Sequence, residues 1–166
     1  MGEKVIDTGI DEDYLGGNDI TIGGGVDYVG GNDITIGGVV DFVLGGTGGT
    51  YPWNDCNGHG THVAGTIGSR LYGVAPGVTL WAIRVLNCNG SGSSAGIIGG
   101  IDWCVQQAKS LGGKWVANLS LGGNGVNAPL NKAVADARAQ GVVMVVAAGN
   151  SNGDACQISP AREPSA

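Results

Sequence analysis

A chain of 166 residues, 42% hydrophobic and 13% charged, can bury one sizeable core, is short for two ordinary domains, and carries too little charge for charge-driven disorder. No apolar run approaches the roughly 18 residues of a membrane-spanning helix, so a soluble protein with no membrane partner is expected; the 34 glycines follow no three-residue period and accompany only 5 prolines, which excludes collagen. The net charge of −6 is uneven: residues 1–55 hold ten acids against the single base Lys4, residues 56–166 four acids against seven bases, and such an acidic first third repels nucleic-acid phosphates, so nucleic acid is not an expected partner.

In chain order, Val5-Ile6-Asp7-Thr8-Gly9 reads as a β-prone run that ends on an aspartate before a turn. No basic end followed by a long apolar stretch precedes it, so the chain reads either as cytosolic or as a piece of a longer precursor. Residues 14–46 form a tandem repeat: the segment 14–27 recurs at 28–41 with two changes, Val29 for Leu15 and Val39 for Gly25. Gly-Gly pairs start at Gly16, Gly23, Gly30 and Gly37, and the runs between them read as short strands joined by glycine turns. The repeat is therefore expected as a glycine- and aspartate-rich insertion within a domain spanning residues 1–166. Asp19, Asp27, Asp33 and Asp41 could gather calcium as a structural ion through their oxygens. The simpler reading is a solvated loop with short hairpins, since calcium-binding β-rolls repeat every nine residues or so, and this segment every seven.

Near residue 54 the character changes, and strands alternate with helices. Asn57 to Thr66 places His59 at the entry to a helix of small residues. Val78 to Leu86 and Trp115 to Leu121 are strand-like, and Val142 to Ala148 is a nearly continuous apolar run of the kind buried on both faces of a parallel sheet. Ser94 to Leu111 carries apolar residues at helical spacing behind a Ser93 or Ser94 cap. Pro129 to Gln140 does the same, with Pro129 in the first turn and Gly141 as a stop. This alternation predicts an open, doubly wound, mostly parallel α/β sheet with helices on both faces.

In such a sheet ligands bind beyond the carboxyl ends of the strands, where Asp7 and Asn150 fall. A carboxylate that orients an imidazole, together with an amide that donates to an oxyanion, makes up most of a serine-hydrolase site. Rival readings exist for single residues. Asp7 could cap a turn before Gly9 and Asn150 could cap its strand. His62 reads as structural, and Cys56, His59 and His62, three apart, could bind zinc. Four cysteines (Cys56, Cys88, Cys104 and Cys156) leave three full pairings open.

Taken together, Asp7-Thr8-Gly9, His59-Gly60-Thr61-His62-Val63-Ala64-Gly65-Thr66, Ser120-Leu121-Gly122-Gly123 and Ala147-Ala148-Gly149-Asn150 resemble the motifs of subtilisin-like serine proteases, in consistent order. The segments around Cys56, Cys88 and Ser159 are similar to the proteinase K and aqualysin branch. The resemblance implies an endopeptidase that hydrolyses peptide bonds in proteins. Asp7 would be the triad carboxylate, His59 the general base and then acid, and Asn150 the oxyanion donor. Gly90-Ser91-Gly92 and Ser120-Leu121-Gly122 would flank an extended peptide, bound as an added strand. Ala147, Ala148 and Gly149 would line a broad or apolar primary pocket. It also implies a Cys56–Cys88 disulfide, with Cys104 and Cys156 free unless they pair together, a secreted and monomeric full-length enzyme, and no cofactor for the chemistry. The family's nucleophile lies in a Gly-Thr-Ser-Met-Ala-type motif downstream of the asparagine, and residues 1–166 contain no such motif. The expectation is therefore an incomplete domain whose serine lies beyond this chain, inactive by itself. The alternative is a non-catalytic calcium- or peptide-binding remnant of the same fold. The interval of 52 residues from Asp7 to His59 also exceeds the family's usual spacing, and removing one repeat brings it much nearer.

Overall fold

A computed structural model describes residues 2–7, 20–22, 34–43, 55–69 and 71–166. Strands β1 (Gly2–Asp7), β2 (Ile20–Ile22), β3 (Ile34–Asp41), β4 (Thr79–Arg84), β5 (Trp115–Leu119) and β7 (Val142–Val146) form one sheet in the order β2-β3-β4-β1-β5-β7. Every pairing in it is parallel. Helices α1 (His59–Gly68), α2 (Ser94–Leu111) and α3 (Ala128–Ala139) are threaded between the strands, and β6 (Gly123–Asn124) pairs antiparallel with β8 (Ile158–Ser159) as a small separate ladder.

The helices begin and end where short-range chemistry directs. Ser93 Oγ accepts the Gly96 N–H to open α2, and Gly112, at φ 67°, ends it. Asn127 accepts the Leu130 N–H ahead of α3, Pro129 lies in its first turn, and Gly141 follows in the left-handed region. Helix α2 has the bounds that the periodicity predicts, and α3 is displaced by one residue at each end.

One face of the sheet carries the main core. Ile97, Ile101, Cys104 and Val105 of α2 and Leu130, Ala133, Val134 and Ala137 of α3 pack on Ile83, Trp115, Ala117, Leu119, Val142 and Met144. Trp81 lies between Trp103 and Trp115, with ring centroids 5.8 and 5.6 Å away, a tilted arrangement that aromatic quadrupoles favour. Helix α1 covers β1 and β4 from the opposite face. Its small residues allow that approach: a Cβ on Gly68 would stand 3.2 Å from Val78 Cγ1 and 3.4 Å from Leu80 Cδ1.

Two expectations are corrected. The runs Ile20–Ile22 and Ile34–Ile36 do not form a hairpin with each other; they lie parallel, and β3 continues as a full strand of the main sheet. Glycine pairs mark where a chain turns, but not whether it returns antiparallel or crosses over. The apolar run from Val142 is buried on one face only, because Val143 and Val145 are 44% and 47% exposed. Helix α1 packs mainly on β1 and β4, in the middle of the sheet.

Candidate functional site

The carboxyl ends of β1, β5 and β7 deliver the sequence-predicted residues to one end of the sheet. Asp7 is the last residue of β1, a central strand, and stands in register with Arg84 of β4; its side chain lies outside the described residues. His59 opens α1 and is exposed. Asn150 follows β7 after Ala147, Ala148 and Gly149, and is exposed. Gly149 takes φ 98°, a left-handed conformation that favours glycine, and a Cβ there would fall 2.3 Å from Ile158 Cδ1, so a larger residue before Asn150 would strain the backbone and displace the Ile158 side chain.

His59 and Asn150 line one cleft of about 750 Å³. Gly90, Ser91 and Gly92 form part of its wall, as do Ser120, Leu121 and Gly122. Leu121 is buried while Gly122 and residues 90–92 are exposed, so these segments present largely backbone to the cleft. Ala147, Ala148 and Gly149 do not line it among the described residues. His62, also exposed on α1, stands outside it.

Local hydrogen bonds fix the loops. Asp55, buried, accepts the Asn57 and Gly58 N–H groups on Oδ1 at 3.0 and 2.8 Å, and the Thr61 N–H on Oδ2 at 2.9 Å. Gly58, the residue before the helix, has no side chain to cap α1; Asp55 does that work, and its negative charge suits the helix start. Across the cleft, Asn87 Oδ1 accepts the N–H groups of Asn89 and Ser91, which shapes the 87–91 turn. Gly92 passes so near Val85, the residue after β4, that a Cβ would sit 2.3 Å from Val85 O. At the far end Ser159 Oγ accepts the Asn127 N–H and donates to Gly125 O, and Asn127 Nδ2 donates to Ser94 Oγ. Beyond Asn150, Asp154 accepts the Cys156 N–H, a bond that holds its carboxyl below the usual aspartate range, with Gln157 adding to the effect.

The two loops flanking His59 are tied together. Cys56 and Cys88 form a disulfide, as the family resemblance implies, and Asn57 Nδ2 donates to Cys88 O at 3.0 Å. This pairing removes the zinc reading of Cys56, His59 and His62. Cys104, buried, and Cys156, exposed, form no disulfide. Beneath the disulfide lies the buried Arg84, with Nη2 3.4 Å from Cys56 Sγ and 3.9 Å from Cys88 Sγ, and with Nε donating to Leu86 O. Its Nη1 meets Asp41 Oδ2 at 3.1 Å in an ion pair buried on both sides. Asp41 Oδ1 accepts the Val43 N–H at 2.7 Å. Asp41, expected among the calcium ligands, is thus committed to a guanidinium. Asp19, Asp27 and Asp33 lie outside the described residues, and no cluster of metal-ligating side chains occurs among the described ones. Sequence reasoning missed both Asp55 and the Asp41–Arg84 pair. The first is signalled by a carboxylate three residues before a glycine that cannot cap; the second, across 43 positions, has no local signal.

A family model described as "Subtilase family" matches residues 4–166. The chain belongs to that family. It is 58% identical over 109 residues to alkaline serine exoprotease A of Vibrio alginolyticus, a match covering 66% of this chain and 20% of that protein. It is likewise 58% identical over 108 residues to the extracellular serine proteinase of Thermus sp. (strain Rt41A), covering 65% of this chain and 25% of the relative. Among solved structures it superposes on a cold adapted subtilisin-like serine proteinase with a TM-score of 0.77 and 44% identity, over 98% of this chain and 51% of the other. The subtilase therefore spans about half the length of that solved relative, and its α/β sheet is an incomplete subtilisin-like fold. The family read from the motifs and the fold class read from the alternation of strands and helices are both borne out. No helix among the described residues is long and apolar enough to cross a membrane.

Proposed function

We propose that this subtilase chain supplies the base, its orienting carboxylate and the oxyanion donor of a secreted serine endopeptidase, whose nucleophile serine is carried outside residues 1–166. The observation that carries this reading is the cleft: His59, Asn150 and both backbone-presenting segments line the same cavity. In the proposed reaction His59 takes the proton of the serine hydroxyl as it attacks a peptide carbonyl, then gives that proton to the leaving amine. Asp7 holds the imidazole in the tautomer that this requires. The Asn150 amide donates to the developing oxyanion, a contact of about 3–4 kcal/mol in such sites. The substrate is a protein or peptide lying as an added strand between Gly90–Gly92 and Ser120–Gly122. Ala147, Ala148 and Gly149 would wall a broad or apolar primary pocket. No metal enters these steps; calcium at Asp19, Asp27 and Asp33 would be structural, and a calcium-dependent rise in melting temperature tests it.

By itself the chain is proposed to be inactive, since loss of a triad nucleophile costs about six orders of magnitude in turnover. The test is hydrolysis of a chromogenic peptide by the purified 166-residue protein and by a chain extended through a Gly-Thr-Ser segment, each with a His59→Ala control. Turnover confined to the extended chain and lost with His59→Ala is the expected result. Turnover by the 166-residue protein that vanishes with His59→Ala would overturn the proposal.

A further inference from the structure

The Cys56–Cys88 disulfide has solvent on one side and a buried cation on the other. Both cysteines are exposed, whereas Arg84 is buried beneath them. Each nitrogen of its guanidinium has its own direction. Nε donates to Leu86 O and Nη1 meets Asp41 Oδ2, which leaves Nη2 to the sulfurs, 3.4 Å from Cys56 Sγ and 3.9 Å from Cys88 Sγ. Sulfur in a closed disulfide accepts weakly, so Nη2 gains little from it.

A thiolate in the same place accepts strongly, because donor and acceptor then carry opposite charges. Arg84 therefore favours a state in which the bond has opened and one sulfur holds negative charge. The carboxylates nearby are engaged in other directions. Asp41 meets Nη1 and accepts the Val43 N–H, and Asp55, the residue before Cys56, accepts the N–H groups of Asn57, Gly58 and Thr61. The other titratable group close in sequence is His59, exposed at the start of α1.

We propose that this disulfide is a thiol-exchange site with a fixed direction: a small-molecule thiolate attacks Cys88 Sγ, and Cys56 leaves as the thiolate. The S–S bond breaks as the new one forms, and its electron pair stays on Cys56 Sγ, where Arg84 Nη2 donates to it. The product is a mixed disulfide on Cys88; the attacking thiolate is the only co-reactant, and no proton has to move. A second thiolate then removes the adduct as a small-molecule disulfide and leaves Cys88 as a thiolate. The direction follows from the leaving group, since the sulfur nearer the guanidinium makes the more stable thiolate and so departs faster. Exchange reaches the cleft from both sides. Cys56 stands three residues ahead of His59 and Cys88 directly before Asn89, and both His59 and Asn89 line the cleft. An adduct on Cys88 therefore stands beside the wall formed by residues 89–92. The inference is independent of the proposed catalytic role.

Mapping the adduct tests it. A Cys156→Ser chain, which lacks the exposed Cys156 thiol, is treated briefly with 2-mercaptoethanol, an uncharged thiol that brings no electrostatic preference of its own. After an acid quench, free thiols are capped with a maleimide and the peptides are mapped by mass. Among singly thiolated chains the adduct should lie on Cys88 about tenfold more often than on Cys56. An even split, or an excess on Cys56, overturns the proposal. A second variant asks whether Arg84 is the cause. Arg84→Met with Asp41→Leu removes the buried pair as a unit, so that neither charge is left alone in the interior. In that chain, its fold checked by circular dichroism, exchange should slow by about tenfold and the preference for Cys88 should vanish. A preference kept without Arg84 would likewise overturn the proposal. The first mapping leaves the pair intact, so it decides the direction of exchange even where the double variant fails to fold.

Discussion

Strands β3 and β7 lie towards opposite edges of the same parallel sheet, β7 at its edge and β3 one strand in, and are held to it by different forces. The first is broken by glycines, shifts register between Ile36 and Gly38, and ends on the buried pair of Asp41 with Arg84. The second is wholly apolar, yet buries Val142 and Met144 and leaves Val143 and Val145 at the surface. Glycine removes almost no apolar area from water, so a glycine-rich strand gains little from burial and needs an anchor of another kind. An apolar strand needs no such anchor, and one covered face suffices to seat it. Hydrophobicity therefore identifies a strand without saying how many of its faces will be covered, and a polar residue in a glycine-rich segment can matter more than its neighbours.

Breaking the anchor should give the largest effect. Arg84→Met leaves Asp41 in the interior without its guanidinium and should cost about 3–5 kcal/mol, read as the shift in guanidinium-chloride unfolding. An unchanged midpoint would mean that backbone pairing alone holds the repeat edge. The disulfide above Arg84 comes next. Cys56→Ser with Cys88→Ser opens a loop of 32 residues' separation and should cost about 3–4 kcal/mol in the chain-entropy picture. Because Arg84 touches both sulfurs, the Arg84→Met penalty should differ in that background, and a double-mutant cycle measures the coupling.

Smaller changes sharpen the contrast. Asp55→Ala removes the acceptor of three N–H groups, two just ahead of α1 and one in its first turn, and should cost about 1–2 kcal/mol. The His59 imidazole resonances should shift with it; a stability loss that leaves them in place would separate the cap from the orientation of the histidine. At the other edge Val145→Lys should stay within about 0.5 kcal/mol of the parent, whereas Val142→Lys, one face over, should prevent folding. Equal tolerance at both positions, followed by circular dichroism during urea unfolding, would contradict the one-sided burial of β7.

Much of this was legible in the sequence because the relevant energies are short-ranged. Ser93, Pro129 and Gly141 act within a turn of the helix they start or stop, so α2 and α3 fall almost where the pattern puts them. The histidine at a helix entry and the asparagine after an apolar strand also stood out as local features. Asp55 was less legible, since a carboxylate that caps from outside the helix looks like any loop acid. The repeat misled in one respect: its glycine pairs suggested hairpins, whereas the two copies run parallel.

The amino-acid sequence by itself determined, from residue 55 onward, which segments become the main strands and helices and nearly where they end, and, through motifs that occur in fixed order, the family and the residues to watch. Only the tertiary structure decided that the second repeat sits beside β4, that Asp41 meets Arg84, that β7 is covered on one face, and that His59 and Asn150 share a cleft with both backbone-presenting segments. The reason is physical. Caps and periodicity are settled among residues a few positions apart, while strand order, ion pairs across 43 residues and the covering of a sheet face depend on which distant surfaces meet, and that is settled only when the whole core assembles.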